Sequence, residues 1–165
     1  MSMKKIIVLF LSLVMMSGCT NAAQQERLKF ESYKTLYTDV LNAKDLKTSS
    51  FYFYIDYSVT DLGNQTYRYD VIIDRPQVAM YDVEILLIHD DGSLVISETM
   101  MPSVGIFEDK TYYMIPNQIN KPTNYVQGFV LNGISNMRPI HLKMVVSWKD
   151  ASTKQVKEYF DFTLE

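Results

Sequence analysis

A single cysteine, Cys19, occurs in the 165 residues. One thiol forms no internal disulfide and no thiolate metal cluster, so the fold must be held by its core. Histidine is almost as scarce, at His89 and His141 only, which leaves little material for an imidazole metal centre or a histidine base. The chain carries no phosphate-binding loop, no dinucleotide glycine pattern, no Gly-x-Ser-x-Gly elbow and no His-Glu-x-x-His. It has no run of basic residues, and its formal net charge is −3, so nucleic acid is not an expected partner. The longest apolar run, Ile6 to Met16 with Ser12 inside it, falls short of the ~20 residues that span a bilayer.

That run sits in a three-part leader. A short basic start, with Lys4 and Lys5, precedes it, and the small residues Ser17 and Gly18 follow. This is the layout of a secretory signal, in which small residues let a peptidase approach the backbone. Met16, Ser17, Gly18 and Cys19 resemble, position by position, the box of bacterial lipoprotein signal peptides: an apolar residue, two small residues, then cysteine. Methionine stands where that box most often has leucine. The resemblance implies a signal peptide over 1–18, diacylglycerylation of the Cys19 thiol, cleavage before it, and acylation (palmitate or similar) of the new amine. It implies attachment to the cell membrane on its extracytoplasmic face, with the membrane itself as a partner through the lipid on Cys19. Two acyl chains hold a protein stably where one does so marginally, at about 0.8 kcal/mol per buried methylene.

Removing residues 1–18 from the 165 leaves 147, the size of one ordinary domain. Loss of Lys4 and Lys5 leaves 14 basic against 19 acidic residues, a net charge near −5. Such a domain has no electrostatic reason to seek anionic lipid, so attachment falls to the lipid anchor. The expected organisation is a lipidated tether over 19–24, an N-terminal helix over 25–46 and a β-sandwich domain over 47–165.

In the helix, Phe30, Tyr33, Leu36, Tyr37, Val40 and Leu41 recur at three- and four-residue spacing, making one apolar stripe. From Ser49 the period changes to two. Phe51, Phe53, Ile55, Tyr57 and Val59 alternate with polar or tyrosine positions. After a turn at Asp61-Leu62-Gly63-Asn64, so do Tyr67, Tyr69, Val71 and Ile73. Further strands are expected over 79–89, 94–100 after the Asp90-Asp91-Gly92-Ser93 turn, 111–115, 125–131 closed by Asn132-Gly133, and 140–148. A last strand follows the turn at 149–153 and ends the chain. Eight short strands and one helix predict a mainly β protein, an antiparallel β-sandwich with an N-terminal amphipathic helix. An immunoglobulin-like arrangement is one version, though no Cys–Trp–Cys framework supports it, and a barrel is the rival. The tyrosines on the second face of strand 51–59 suggest a covered face, with the helix as the natural cover.

Few groups offer chemistry. His89 beside Asp90 and Asp91 reads as a strand end, because adjacent strand residues alternate sides. His141 reads as half-exposed. Asp56 and Asp70 could meet across the first hairpin as paired carboxylates, but Arg68 and Arg75 are near enough to neutralise them, along with Asp74 and Asp82. A calcium site from Asp90, Asp91 and Glu108 or Asp109 lacks the alternating acidic loop of known motifs. No cofactor and no metal site is expected. The apolar stretch Met100–Phe107 and the segment Tyr112–Gln118 read either as caps on the core or as a contact patch of Val104, Ile106, Phe107, Tyr112 and Tyr113.

The resulting expectation is a membrane-anchored envelope lipoprotein acting as a non-enzymatic interaction module for an envelope protein. In size and layout the chain loosely resembles the small β-rich lipoproteins of Gram-positive and related bacteria. One alternative is a ligand- or glycan-binding surface lipoprotein, with Tyr52, Tyr54, Tyr112 and Tyr113 as a stacking platform. Another is an envelope hydrolase.

Overall fold

The structure is a computed structural model. It describes the backbone over residues 3–89, 100–118 and 124–165, with side chains from residue 22 onward. The protein is mainly β, with one N-terminal helix and two sheets stacked as a sandwich. Helix α1 spans Met3–Asn42. The strands are β1 Leu46–Lys47, β2 Tyr54–Gly63, β3 Thr66–Asp74, β4 Tyr81–His89, β5 Ser103–Val104, β6 Gly128–Ser135, β7 Ile140–Lys149 and β8 Gln155–Leu164. One sheet has the order β1-β8-β7-β4-β5 and the other β2-β3-β6. Strand pairings are antiparallel except that of β1 with β8, which is parallel.

The core between the sheets follows from the period-two pattern. Tyr69, Val71 and Ile73 of β3 and Phe129 and Leu131 of β6 face Val83, Ile85 and Leu87 of β4. Alternate residues of β7 from Ile140 to Trp148 complete the layer with Phe160, Phe162 and Leu164 of β8. Phe53 plugs one end, its ring edge-on to Trp148 at 5.9 Å and to Phe160 at 5.8 Å. Each such side chain, fully buried, contributes about 1.5–3 kcal/mol, so this layer dominates the stability.

The large sheet is apolar on its second face too. Leu86, Ile88 and Val145 point away from the sandwich core and meet Tyr33, Leu36, Tyr37 and Val40 of α1. The molecule therefore has three layers: helix, five-stranded sheet, three-stranded sheet. Four buried helix residues amount to roughly 6–12 kcal/mol of gross apolar stabilisation, enough to make the helix part of the fold. The helix was expected over the tyrosine face of β2, and that placement is corrected: it covers β4 and β7, where the unbroken run Ile85-Leu86-Leu87-Ile88 needs cover on both sides. Leu41, assigned to the buried stripe, is 48% exposed. Residues 22–24, expected in the tether, are helical, since Ala22, Ala23 and Gln24 are good helix formers with no breaker among them.

Other boundaries shift as well. Strand β2 runs to Gly63, and the hairpin turn falls on Asn64 and Gln65, both with positive φ (53° and 58°). Strand β6 runs through Asn132-Gly133 to Ser135. Gly133 there is a packing device: a Cβ would lie 2.2 Å from the hydroxyl of Tyr69, whose ring fills the space. The segment expected as a strand over 111–115 makes only isolated bridges, Met80 with Met114 and Tyr113 with Tyr125. The strand expected over 94–100 lies, apart from Met100, outside the described residues.

The direction of the helix orients the molecule. In its last third, Tyr33 accepts a hydrogen bond from the Met101 backbone N–H at 3.1 Å, and neighbouring Pro102 accepts from Leu87 N–H at 3.0 Å. Six residues later, Asp39 pairs with Lys157 at 2.7 Å. Lys157 lies opposite Ser147, which pairs with Glu84. The helix therefore enters at the Leu87 end of β4 and leaves toward its Tyr81 end.

Candidate functional site

With the helix on the large sheet, the outer face of the small sheet carries the most distinctive exposed surface among the described residues. Its rows follow from the register. Tyr54, Asp74 and Gly128 form one row, and Asp56, Ile72 and Val130 the next. Then come Ser58, Asp70 and Asn132, and finally Thr60, Arg68 and Ile134. Val130 and Ile134 are 56% and 58% exposed. Both lie on β6, two positions either side of Asn132, so they make a short apolar lane along that strand.

At the Tyr81 end of the sandwich this face runs into a cleft of about 740 Å³. Three separated segments build it. Its floor is Ile72, Gly128 and Val130; one wall is Arg75-Pro76-Gln77 and the other Ile115-Pro116-Asn117, with Tyr125 and Gln127 at the rim. Gly128 lies so close to β3 that a Cβ would stand 2.6 Å from the Ile73 carbonyl and 2.8 Å from the Asp74 Cβ. Arg75 and Asn117 turn their segments with positive φ (48° and 53°). Gln77 Nε2 donates to the Arg75 carbonyl at 2.8 Å, and Gln77 N–H donates to the Tyr52 carbonyl at 2.7 Å, which fixes the first wall.

The electrostatics there are closed. The Arg75 guanidinium donates to Asp74 at 2.8 Å and to Asp56 at 2.5 Å, and lies 4.3 Å over the ring of Tyr54. Its hydrogen bond to Asp74 leads the effects that hold it protonated above the usual arginine range. Arg68 is likewise raised, first by its hydrogen bond to Asp70 at 2.7 Å. Asp56 and Asp70 share a face but stand opposite Ile72 and Ser58, not each other. Each has a guanidinium, as the nearness of Arg68 and Arg75 in sequence suggested, and no carboxylate pair is assembled. Asp82 pairs with Lys149 at 2.8 Å.

The other sequence candidates are dispersed. His89 Nδ1 is 2.6 Å from the hydroxyl of buried Tyr69, which ties the end of β4 to the small sheet. It is therefore half-buried structure rather than a solvated strand end. His141 is exposed, with Nδ1 3.1 Å from Thr163 Oγ1. Asp90 and Asp91 lie outside the described residues. Asp109 pairs with Lys29 of the helix, and that bond is the main cause holding its carboxyl below the usual range. Among the described residues no three His, Cys, Asp or Glu side chains converge as a metal site. No helix there is long and apolar enough to cross a membrane.

The suggested contact patch divides between two cores. Ile106 is buried against the helix, so of its two readings it is a cap and not a contact residue: the apolar loop here seals the helix–sheet layer. Half-buried Phe107 lies 5.5 Å from Tyr33 with its ring tilted by 45°. Val104 and Tyr112 pack against the core between the sheets, Tyr112 edge-on to Phe129 at 5.6 Å. Tyr113 lies edge-on to Tyr81 at 5.5 Å. The four tyrosines considered as a platform engage four different partners, Tyr52 with Trp148 and Tyr54 with Arg75 being the other two. Met16, Ser17, Gly18 and Cys19 lie outside the residues whose side chains are described. No family model matches the chain, and no curated protein or solved structure matches it significantly.

Sequence reasoning missed the cleft. Its walls come from segments about 40 residues apart: the second lies within Tyr112–Gln118, read as a cap or contact segment, while Pro76 marked the first only as a strand end.

Proposed function

We propose that the protein is an envelope lipoprotein, held by lipid on Cys19 at the extracytoplasmic face of the cell membrane. There it acts as a non-enzymatic module that binds another envelope protein. The observation that carries the reading is the exposed apolar lane of Val130 and Ile134, on the sheet that the helix leaves uncovered. Single exposed aliphatics are ordinary, but two aligned on one strand and continuous with a cleft suit a partner surface. The membrane part rests on the Met16–Cys19 box, and the docked helix supports it, since it would hold the domain at a fixed orientation to its anchor. The non-enzymatic part rests on Asp56, Asp70 and Asp82, each held by an arginine or lysine cation.

Metabolic labelling with a palmitate analogue tests the anchor: wild type is expected to take up label and fractionate with membranes, and Cys19→Ala to do neither. Crosslinking in intact cells tests the partner. A reproducible envelope protein, weakened in Cys19→Ala, is the expected result; no protein above background counts against the reading.

A further inference from the structure

The cleft at the Tyr81 end has chemistry of its own. Among the described residues lining it, Arg75 is the one cation, and two carboxylates already hold it. A phosphate or carboxylate ligand would have to break that arrangement, so the cleft is built for an uncharged guest. Three primary amides, Gln77, Asn117 and Gln127, line it. A primary amide donates and accepts from one group, which is the pattern that a hydroxyl presents in return. The Gln77 Nε2 already donates to the Arg75 carbonyl, but a purely apolar guest such as an acyl chain would match neither its Oε1 nor the Asn117 and Gln127 amides. Between them lie flat or smooth apolar surfaces: the ring of Tyr125, the prolines at 76 and 116, and the aliphatic floor. These suit the C–H face of a sugar ring, which is apolar on its faces and polar around its edge. The size, about 740 Å³, lies within the range of roughly 300–1,000 Å³ typical of small-molecule sites. Gly128 lets β6 lie close against β3 beneath the cleft, since a Cβ there would collide with Ile73 and Asp74.

We infer that this cleft is a binding site for a neutral saccharide, with the amides of Gln77, Asn117 and Gln127 meeting hydroxyls and Tyr125 stacking on a ring face. The site differs from the tyrosine platform considered from the sequence, and it does not depend on the protein partner proposed for the sheet face.

The test is NMR titration of the full lipidated chain in sugar-free zwitterionic micelles, with an N-acetylglucosamine trimer, cellotriose and maltotriose as probes. Glycerol serves as a hydroxyl-bearing control without a ring. At least one trisaccharide is expected to give saturable shifts confined to residues 72–77, 115–117 and 125–130, at up to about ten millimolar ligand; glycerol is expected to give none. Gln127→Leu, at an exposed position, is expected to weaken that binding by about three- to tenfold, and Tyr125→Leu to weaken it by at least as much. Asn132→Leu, outside the cleft, is expected to leave it unchanged, and unaltered thermal unfolding checks that each variant folds. The inference is overturned if none of the three sugars shifts the cleft residues, if the shifts lie elsewhere, or if Gln127→Leu binds as wild type does. A failed partner crosslink with a positive titration would sink the protein-binding reading and leave this one standing.

Discussion

Tyr33 is the position at which the docking of the helix can be measured. Its side chain is fully buried. Its ring lies 5.5 Å from Phe107 and 6.2 Å from both Phe30 and Tyr37. Burial, the largest influence on it, raises its phenol above the ordinary range, so it stays neutral through the working pH. Two substitutions divide its contribution. Tyr33→Phe keeps the ring and strips the Met101 N–H of its acceptor, at a cost of about 1–3 kcal/mol for a buried donor left unpaired. Tyr33→Ala also empties the aromatic site and should cost about 3–5 kcal/mol. For a domain near 150 residues, each kcal/mol moves the melting temperature by about 2–4 °C. The expected losses are therefore about 2–12 °C for Phe and about 6–20 °C for Ala. Urea unfolding of the lipidated protein in micelles gives the energies directly, with unchanged slope if the helix and sandwich unfold together. A Tyr33→Ala midpoint equal to that of wild type would show that the helix is not docked, and would refute the three-layer arrangement.

Other positions give independent checks. Glu158 is 4% exposed and held by Lys47 and Ser50. Lys47→Met should cost about 2–3 kcal/mol in urea unfolding by leaving a buried charge with one neutral partner, a value reduced because Lys47 is half exposed. Pairing it with Glu158→Leu should recover most of that loss. Gly133→Ala should destabilise by about 1–3 kcal/mol by forcing Tyr69 aside, and the ring shift of His89 should report the broken bond by NMR. Glu84 is half-buried, and desolvation raises its carboxyl pKa against the opposing pull of Lys157 and Lys149. The folded state then holds that proton more tightly than the unfolded chain, so its favourable share exists at acid pH and is lost as pH rises through the raised value. Glu84→Gln should thus stabilise by under about 1 kcal/mol near neutrality, and not at all well below about pH 4, in paired unfolding curves.

How much of this was legible in the sequence depended on periodicity. The alternation from Ile140 to Trp148 maps onto β7 and its buried face, and Tyr67 to Ile73 onto β3. Tyr33, Leu36, Tyr37 and Val40 give the helix stripe. Strands of two residues have no period to read, so β1 and β5 were invisible. The tyrosines of β2 misled for a physical reason: a tyrosine satisfies a half-wet surface as well as a covered one, and the real demand for cover lay in Leu86 and Ile88. The apolar loop at Ile106 is ambiguous in one dimension, since a core cap and a contact patch have the same composition. The cleft is assembled by long-range pairing of β3 with β6; Pro76 and the Tyr112–Gln118 segment gave separate local signals, and nothing in one dimension joins them.

The most direct test of the central claim is site-specific photocrosslinking in intact cells from Val130 and Ile134, with His141 on the opposite sheet as the control. The account predicts one shared envelope protein captured from both β6 positions, absent from His141 and reduced in the Cys19→Ala background. Capture of nothing from β6, or of the same protein equally from His141, would contradict it.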